Sequence, residues 1–366
     1  MNKKIKLYIF SPYSLIGGDT LSISRLINNL NPKYYDISFI CLKKTKILNY
    51  LKKKNFKIDR VNSSRALFSI FKIKNIIKKD IKKNYKKYIF LSNQNFANVL
   101  SVIFFKKIER LKIILIERNH IDEFKYNPSI KKIFIKILMK IFYKKSEKII
   151  GISKKLSKDL SSFVNSKVCT IYNPAYDKKI YSYSNKKIKF FKRKNLILSV
   201  GRFEKQKDTL TILRSFLLVL KKVEANLLLI GYGSQLNEIK KFIRENKIQN
   251  KVKLLTNINN PYPYYKFAKI FVLASKYEGF GNVIVEAAMF KVPIIASDCN
   301  SGPKEILLNG KGGKLFPVGD SKKLSNILLD YINKKNKKKI KFLYNSLNRF
   351  NIKVITKKYK NIFENI

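Results

Sequence analysis

Glu278 and Glu286, with seven residues between them in YEGFGNVIVEAA, lie just beyond the apolar run FVLAS, which ends at Ser275, with Tyr277 after it. Such a run reads as a buried strand, and open α/β sheets collect their ligands at the carboxyl ends of strands. Gly279, Phe280 and Gly281 make a turn through which backbone approaches a ligand closely. Asn282 then opens a helix whose first amides, that of Val283 included, favour an anion by about 0.3 to 2 kcal/mol. A phosphate fits there. Glu286, about one turn further on, can accept both hydroxyls of a ribose. The blander reading makes Glu278 a loop charge and Glu286 a solvated helix residue.

A second strand, in LILSVGRFEKQKDTL, ends at Gly201-Arg202 and is followed after a short turn by Lys207. Arg202 offers a planar fork and Lys207 a compact point charge, a pair suited to a diphosphate leaving group. Among 79 Lys and Arg residues neither means much alone, and their weight comes from the strand end. Gly231-Tyr232-Gly233 lacks a third glycine at dinucleotide spacing, which argues against NAD. No D-x-D pair occurs, so the usual divalent-cation anchor is missing. Neither a metal nor a cofactor is expected. Cys41, Cys169 and Cys299 are far apart and odd in number, against a disulfide framework or thiolate zinc site and in favour of a reducing compartment.

Two similar α/β halves have to position these groups. Strand-like runs fall at Lys6 to Phe10, Ile37 to Leu42, Tyr88 to Leu91, Lys112 to Ile116 and Lys148 to Ile152, with helical patterns between them. The alternation restarts at Leu196 to Val200 and continues through Asn226 to Ile230, Val252 to Leu255, Ile270 to Ala274 and Pro293 to Ala296. Alternating patterns of this kind predict parallel, doubly wound sheets. From Asn173-Pro174 to about Lys194 the periodicity lapses into Tyr, Ser, Asn and Lys, which reads as a linker. With 366 residues, 45 % of them hydrophobic, the chain has material for two cores.

Taken together, YEGFGNVIVEAA, GRFEKQKD, LLLIGYGSQLNEIKKF, NPYPYYKFAKIFVLAS, SGPKEIL, IYNPAYD and the early Gly17-Gly18 loop resemble the family 4 retaining glycosyltransferases of the GT-B fold, in particular those that build bacterial cell-surface glycans. The resemblance implies two Rossmann-like domains facing across a cleft: an acceptor domain over residues 1–175, a linker over 176–194, a nucleotide-sugar domain over 195–338, and helices over 339–366 that pack back toward the first domain. It implies a metal-independent transferase moving a hexose or N-acetylhexosamine from a nucleotide diphosphate sugar, UDP-linked by preference, to a lipid-linked or cell-surface glycan. Arg202 and Lys207, beside Gly201, would clamp the diphosphate. Glu278 and the turn from Gly279 through Phe280, Gly281, Asn282 and Val283 would meet the transferred sugar and its phosphates, and Glu286 the ribose. Gly17 and Gly18 would let a loop close over the diphosphate, and Ile258 and Asn259 would flank the base. Family members often carry a catalytic histidine after a strand of the first domain. Here His120 is the only histidine, within Glu117-Arg118-Asn119-His120, so either it or the Glu117-Arg118 pair faces the acceptor.

The formal charge of +56 demands an anionic partner or reflects a Lys- and Asn-rich composition of the kind an AT-rich genome imposes. Ser129 to Lys145 and Leu67 to Lys87 are amphipathic and cationic, either as core-facing helices with lysine-rich outer faces or as docking helices for anionic lipid. With no uninterrupted apolar span of membrane length, a cytoplasmic protein peripheral to the inner leaflet is expected. A nucleic-acid-binding protein is the rival reading, but the basic residues are dispersed and no nucleic-acid module appears, so no nucleic acid is expected. A GT-B epimerase or an inactive homologue would share the fold.

Overall fold

Leu7 to Phe10, Ile113 to Ile116 and Leu227 to Ile230 are apolar without alternation, and a strand of that kind must be covered on both faces. In the computed structural model, which describes residues 3–12, 18–42, 56–63, 65–126, 128–185, 194–256, 258–334 and 336–366, these runs are fully buried central strands of parallel sheets. The chain divides into two units, Met1–Pro174 with Phe350–Ile366, and Ala175–Arg349.

The first unit runs β1 (Ile5–Phe10), α1 (Gly18–Asn29), β2 (Tyr35–Cys41), β3 (Phe56–Arg60), α2 (Ala66–Ile81), β4 (Lys87–Asn93), α3 (Asn95–Phe105), β5 (Leu111–Glu117), α4 (Glu123–Tyr126), α5 (Ile130–Phe142), β6 (Lys148–Gly151), α6 (Lys154–Val164) and β7 (Val168–Thr170). Its seven strands lie in the order β3-β2-β1-β4-β5-β6-β7, all parallel. The order reverses between β1 and β4, and right-handed crossovers put α1 on one face and α2, α3, α5 and α6 on the other. Buried charges within the unit have partners, as burial requires. Lys6 meets Asp36 at 3.1 Å and Asp80 at 3.5 Å. Glu117, at the end of β5, accepts the Tyr143 hydroxyl at 2.7 Å and the Arg118 and Asn119 amides at 3.0 and 3.3 Å. Its desolvation outweighs those bonds and pushes the carboxyl up to about 7.

The second unit runs α7 (Ile180–Tyr183), β8 (Leu196–Val200), α8 (Thr209–Leu220), β9 (Asn226–Ile230), α9 (Leu236–Glu245), β10 (Val252–Leu255), α10 (Tyr262–Tyr265), β11 (Ile270–Leu273), α11 (Asn282–Met289), β12 (Ile294–Ser297), α12 (Pro303–Ile306), β13 (Lys314–Phe316), α13 (Ser321–Asn333) and α14 (Lys337–Asn345). Its strands lie in the order β10-β9-β8-β11-β12-β13, again parallel, reversing between β8 and β11. A last helix, α15 (Ile352–Asn365), belongs to the first unit and packs on α1. There Phe363 meets the Tyr35 ring at 6.1 Å, and Lys87 donates to the Ile366 oxygen at 2.9 Å.

The boundaries differ from the sequence reading in two places. Residues 176–185, expected as linker, lie on the second unit because their tyrosines find partners there: Tyr181 donates to the Met289 carbonyl at 2.7 Å and Tyr183 stacks with Tyr262. The rest of that linker, up to residue 193, lies outside the described residues. Residues 339–349, expected to pack toward the first domain, also stay with the second unit, where Lys339 donates to the Gly310 carbonyl at 2.7 Å and Lys291 sits over the Tyr344 ring.

The glycines of GYG serve backbone contact. The loops after β8 and β9 touch through Phe203 N–H to the Tyr232 carbonyl at 2.7 Å and Gln235 N–H to the Phe203 carbonyl at 2.8 Å. A Cβ at Gly231 would fall 1.8 Å from the Gly201 oxygen. One on Gly201 would meet nothing closer than 3.8 Å.

Gly231→Ala should therefore lower the stability of the second unit by about 2 kcal/mol or more, and Gly201→Ala by under about 1 kcal/mol, read as urea unfolding midpoints. Equal midpoints in the two variants would refute the contact. For Glu117 the folded carboxyl binds its proton more tightly than the unfolded one, whose value is the ordinary 4.5, so its contribution to stability is present below that value and lost as pH rises through about 7. Glu117→Gln should flatten the fall in stability across that window, and an unchanged slope would contradict the burial of this carboxyl.

Candidate active site

The residues expected to carry chemistry in the second unit gather at the carboxyl edge of its sheet. Gly201 and Arg202 follow β8, Glu278 to Gly281 follow β11, and these neighbouring strands flank the point where strand order reverses. Ligand crevices of open α/β sheets form at such a point.

Lys207 and Glu278 meet here. The Lys207 ammonium pairs with Glu278 Oε1, and both side chains are largely buried. The same oxygen accepts the Ser275 hydroxyl at 2.7 Å. Ser301 donates to the Glu278 carbonyl, and Ser297 to the Ser275 carbonyl at 2.6 Å. All three serines are buried, so the loop after β11 is held by its own Ser275 hydroxyl and by hydroxyls from β12 and the loop beyond it. That last loop lies close because Gly302, at φ +76°, has no Cβ to strike the Phe280 carbonyl 2.1 Å away.

Gly281, at φ +102°, caps α11, so Asn282 opens the helix as expected and Val283 lies in its first turn. Glu286 is buried, contrary to the solvated alternative, and its Oε2 accepts the Tyr265 hydroxyl at 3.3 Å. Burial first, then the Glu286 charge, pushes the Tyr265 hydroxyl well above its usual range, so it stays a donor. Tyr265 is itself fixed by stacking parallel to Phe290. Ile258 and Asn259 follow β10, the edge strand on the β9 side, and Arg202 is exposed at the end of β8.

In the first unit, Gly18 opens α1 beside the reversal between β1 and β4, and Gly17 lies outside the described residues. His120 is 2 % exposed. Its Nε2 faces Asp159 Oδ2 at 2.9 Å while Nδ1 faces the Asp122 N–H at 3.2 Å. Asp122 Oδ2 is also 3.2 Å from Nδ1, so a carboxylate lies beside each ring nitrogen. The contact with Asp159 ties the turn after β5 to α6. Glu117 and Arg118 do not act as a pair: Glu117 turns to Tyr143, and Arg118 donates from Nε and Nη2 to Asn93 Oδ1 at 3.1 and 3.0 Å and from Nη1 to Asn173 Oδ1 at 3.0 Å.

Tyr265, Ser301 and Gln206 are part of this site and escape a sequence reading. Gln206 links Arg202 to the loop after β11, accepting from Arg202 Nη2 at 3.3 Å and donating to the Tyr277 carbonyl at 3.0 Å. Each acts through a hydrogen bond to a sequence-distant residue, for which spacing carries no signal.

Residues 183–347 match the family model described as glycosyl transferases group 1. An uncharacterized glycosyltransferase of Methanocaldococcus jannaschii is 28 % identical over 292 residues, covering 75 % of this chain and 72 % of that one. The N-acetylgalactosamine-N,N'-diacetylbacillosaminyl-diphospho-undecaprenol 4-alpha-N-acetylgalactosaminyltransferase of Campylobacter jejuni is 27 % identical over 234 residues, 63 % of this chain and 62 % of that one. Among solved structures, Anabaena HepE in complex with UDP and glucose superposes with a TM-score of 0.80 at 16 % identity, covering 99 % of this chain and 100 % of that chain. The likeness shows that the fold is the GT-B fold expected from the sequence. The chain is a glycosyltransferase, and the stretch that matches the glycosyl transferases group 1 model lies wholly within its second unit.

Proposed function

We propose that the chain transfers a hexose or N-acetylhexosamine from a UDP-sugar, with retention at the anomeric carbon and without a metal ion, to a lipid-linked glycan on the inner face of the cytoplasmic membrane. The observation that carries this is the meeting of Lys207 and Glu278 across the β8/β11 reversal, with Arg202 and the start of α11 at the same edge. A departing diphosphate gains negative charge, so cations and helix amides already in place stabilise the transition state more than the ground state. Glu286, positioned by the Tyr265 hydroxyl, is the ribose contact in this reading. Retention rests on the resemblance carried by the Glu278/Glu286 spacing. UDP is supported by the UDP bound to HepE, and a lipid-linked acceptor by the undecaprenol-linked glycan for which the Campylobacter relative is named.

Membrane docking has its own support in the first unit. The apolar stripe of α5 points outward: Ile130 is 89 % exposed, Phe134 60 % and Ile133 57 %, while Ile135 and Met139 face the core. On α2, Phe68 and Phe71 are 62 % and 69 % exposed. α3 packs against both helices, with Phe104 edge-on to Phe71. The α5 stripe is therefore not a core face, whereas α2 buries Ile70, Ile73 and Ile77 and exposes Phe68 and Phe71 beside them. An exposed apolar face edged by Lys131, Lys136, Lys140 and Lys144 suits a bilayer carrying anionic lipid. No described helix is long and apolar enough to cross a membrane.

UDP release from UDP-glucose, UDP-galactose, UDP-N-acetylglucosamine or UDP-N-acetylgalactosamine, measured with a bacterial membrane lipid extract, tests the reaction. Arg202→Ala and Lys207→Ala should each lower turnover by about 100-fold or more, and Glu286→Gln should weaken UDP binding about tenfold. Because Lys207→Ala also strands a buried Glu278, Arg202→Ala is the cleaner arm. Near-native turnover in a folded Arg202→Ala protein removes the clamp from the mechanism. In vesicle co-sedimentation, Ile133, Phe134 and Ile137 changed together to Ser should lower binding to anionic vesicles about tenfold or more. High salt should weaken binding only in part, since apolar insertion is not screened. Undiminished binding by that variant would sink the docking face.

A further inference from the structure

A cation stabilises a leaving group effectively when it is aimed at the developing charge beforehand, and a long exposed side chain loses rotamer freedom to reach that state. Arg202 is such a side chain, and among the described residues its hydrogen bond goes from Nη2 to Gln206 Oε1 at 3.3 Å. Gln206 is held at two further points. Its Nε2 donates to the Tyr277 carbonyl at 3.0 Å, and its own carbonyl accepts the Lys276 N–H at 2.8 Å. Both anchors lie on the segment that leads into Glu278.

We propose that Gln206 is a positioning residue of the donor site, fixing Arg202 to the loop that carries Glu278 so that the guanidinium and the Lys207–Glu278 pair move as one body. The role requires a side-chain amide. One end must accept from a guanidinium while the other donates to a backbone carbonyl, and among side chains of this length only glutamine offers both. A glutamate would accept from Arg202, would have no proton for the Tyr277 carbonyl, and would set a negative charge beside the diphosphate. A methionine of similar length supplies neither bond. This inference rests on the proposed contact between Arg202 and the donor diphosphate.

A mutant cycle read by calorimetric titration with UDP tests it, using the full chain, Arg202→Ala, Gln206→Met and the double variant. Arg202→Ala should weaken UDP about tenfold and Gln206→Met about threefold to tenfold, while the double variant should bind no more weakly than Arg202→Ala alone. That non-additivity separates a residue acting through Arg202 from one that merely supports the loop, and the thermal midpoint of Gln206→Met should stay within about 2 °C of the parent. Wild-type affinity in Arg202→Ala would overturn the diphosphate clamp and the inference with it. A weakened Arg202→Ala beside an unaffected Gln206→Met, or losses that multiply in the double variant, would overturn the role of Gln206 and leave the clamp standing.

Discussion

The ion pair between Lys207 and Glu278 joins the loops after β8 and β11, and much of the second unit is arranged so that this pair can exist. Removing both charges from water costs several kcal/mol per ion, which the mutual attraction repays only with good geometry and further hydrogen bonds. Ser275 gives the carboxylate a second donor, and Ser301 and Ser297 hold the backbone that presents it. The loop carrying Lys207 is pinned on its other side too, by Glu204 accepting the Ser234 N–H at 3.0 Å and hydroxyl at 2.6 Å and by the backbone contacts that need glycine at 231 and 233. The unbroken parallel pairing of β9, β8 and β11 brings these loops to one edge.

The carboxyl edge of the first sheet is built differently. Arg118 is buried against the amide oxygens of Asn93 and Asn173 rather than a carboxylate, and desolvation lowers its pKa from the usual arginine range. Asn93 also donates to the Phe10 carbonyl at 3.3 Å, so one guanidinium and one amide tie together the ends of β1, β4 and β5. One sheet edge is thus joined by opposite charges and the other by amide oxygens around the Arg118 guanidinium.

The sequence was most legible where burial is two-sided. Central strands such as β1, β5 and β9 each contain an unbroken apolar run, and the helix start at Asn282 is marked by its preceding glycine. Edge strands β3, β7 and β13 escaped notice, because FKIDR, VCT and KLF are short and partly exposed. Periodicity located α5 but could not say which way its stripe turns, since Ile and Phe at helical spacing look alike against a core or against solvent. His120 illustrates a related limit: a lone histidine in a loop is readable as a proton donor until Asp159 and Asp122 are found on its two nitrogens. Arg202, Lys207, Glu278 and Glu286 were visible as residues, whereas Gln206, Tyr265 and Ser301 matter through partners 21 to 71 positions away.

The crossing of the chain from the second unit back to the first at Phe350 bears on the order in which the protein is made. Synthesis runs from the amino end at about 5 to 20 residues per second, and domains usually fold as they emerge. Here the unit begun first cannot be finished first, because α15 is produced only after all of Ala175–Arg349. Until then α1 lacks the helix that covers it, and Tyr35 lacks Phe363. On the ribosome, the second unit can close on its own residues while the first waits, one helix short, for Ile352–Asn365.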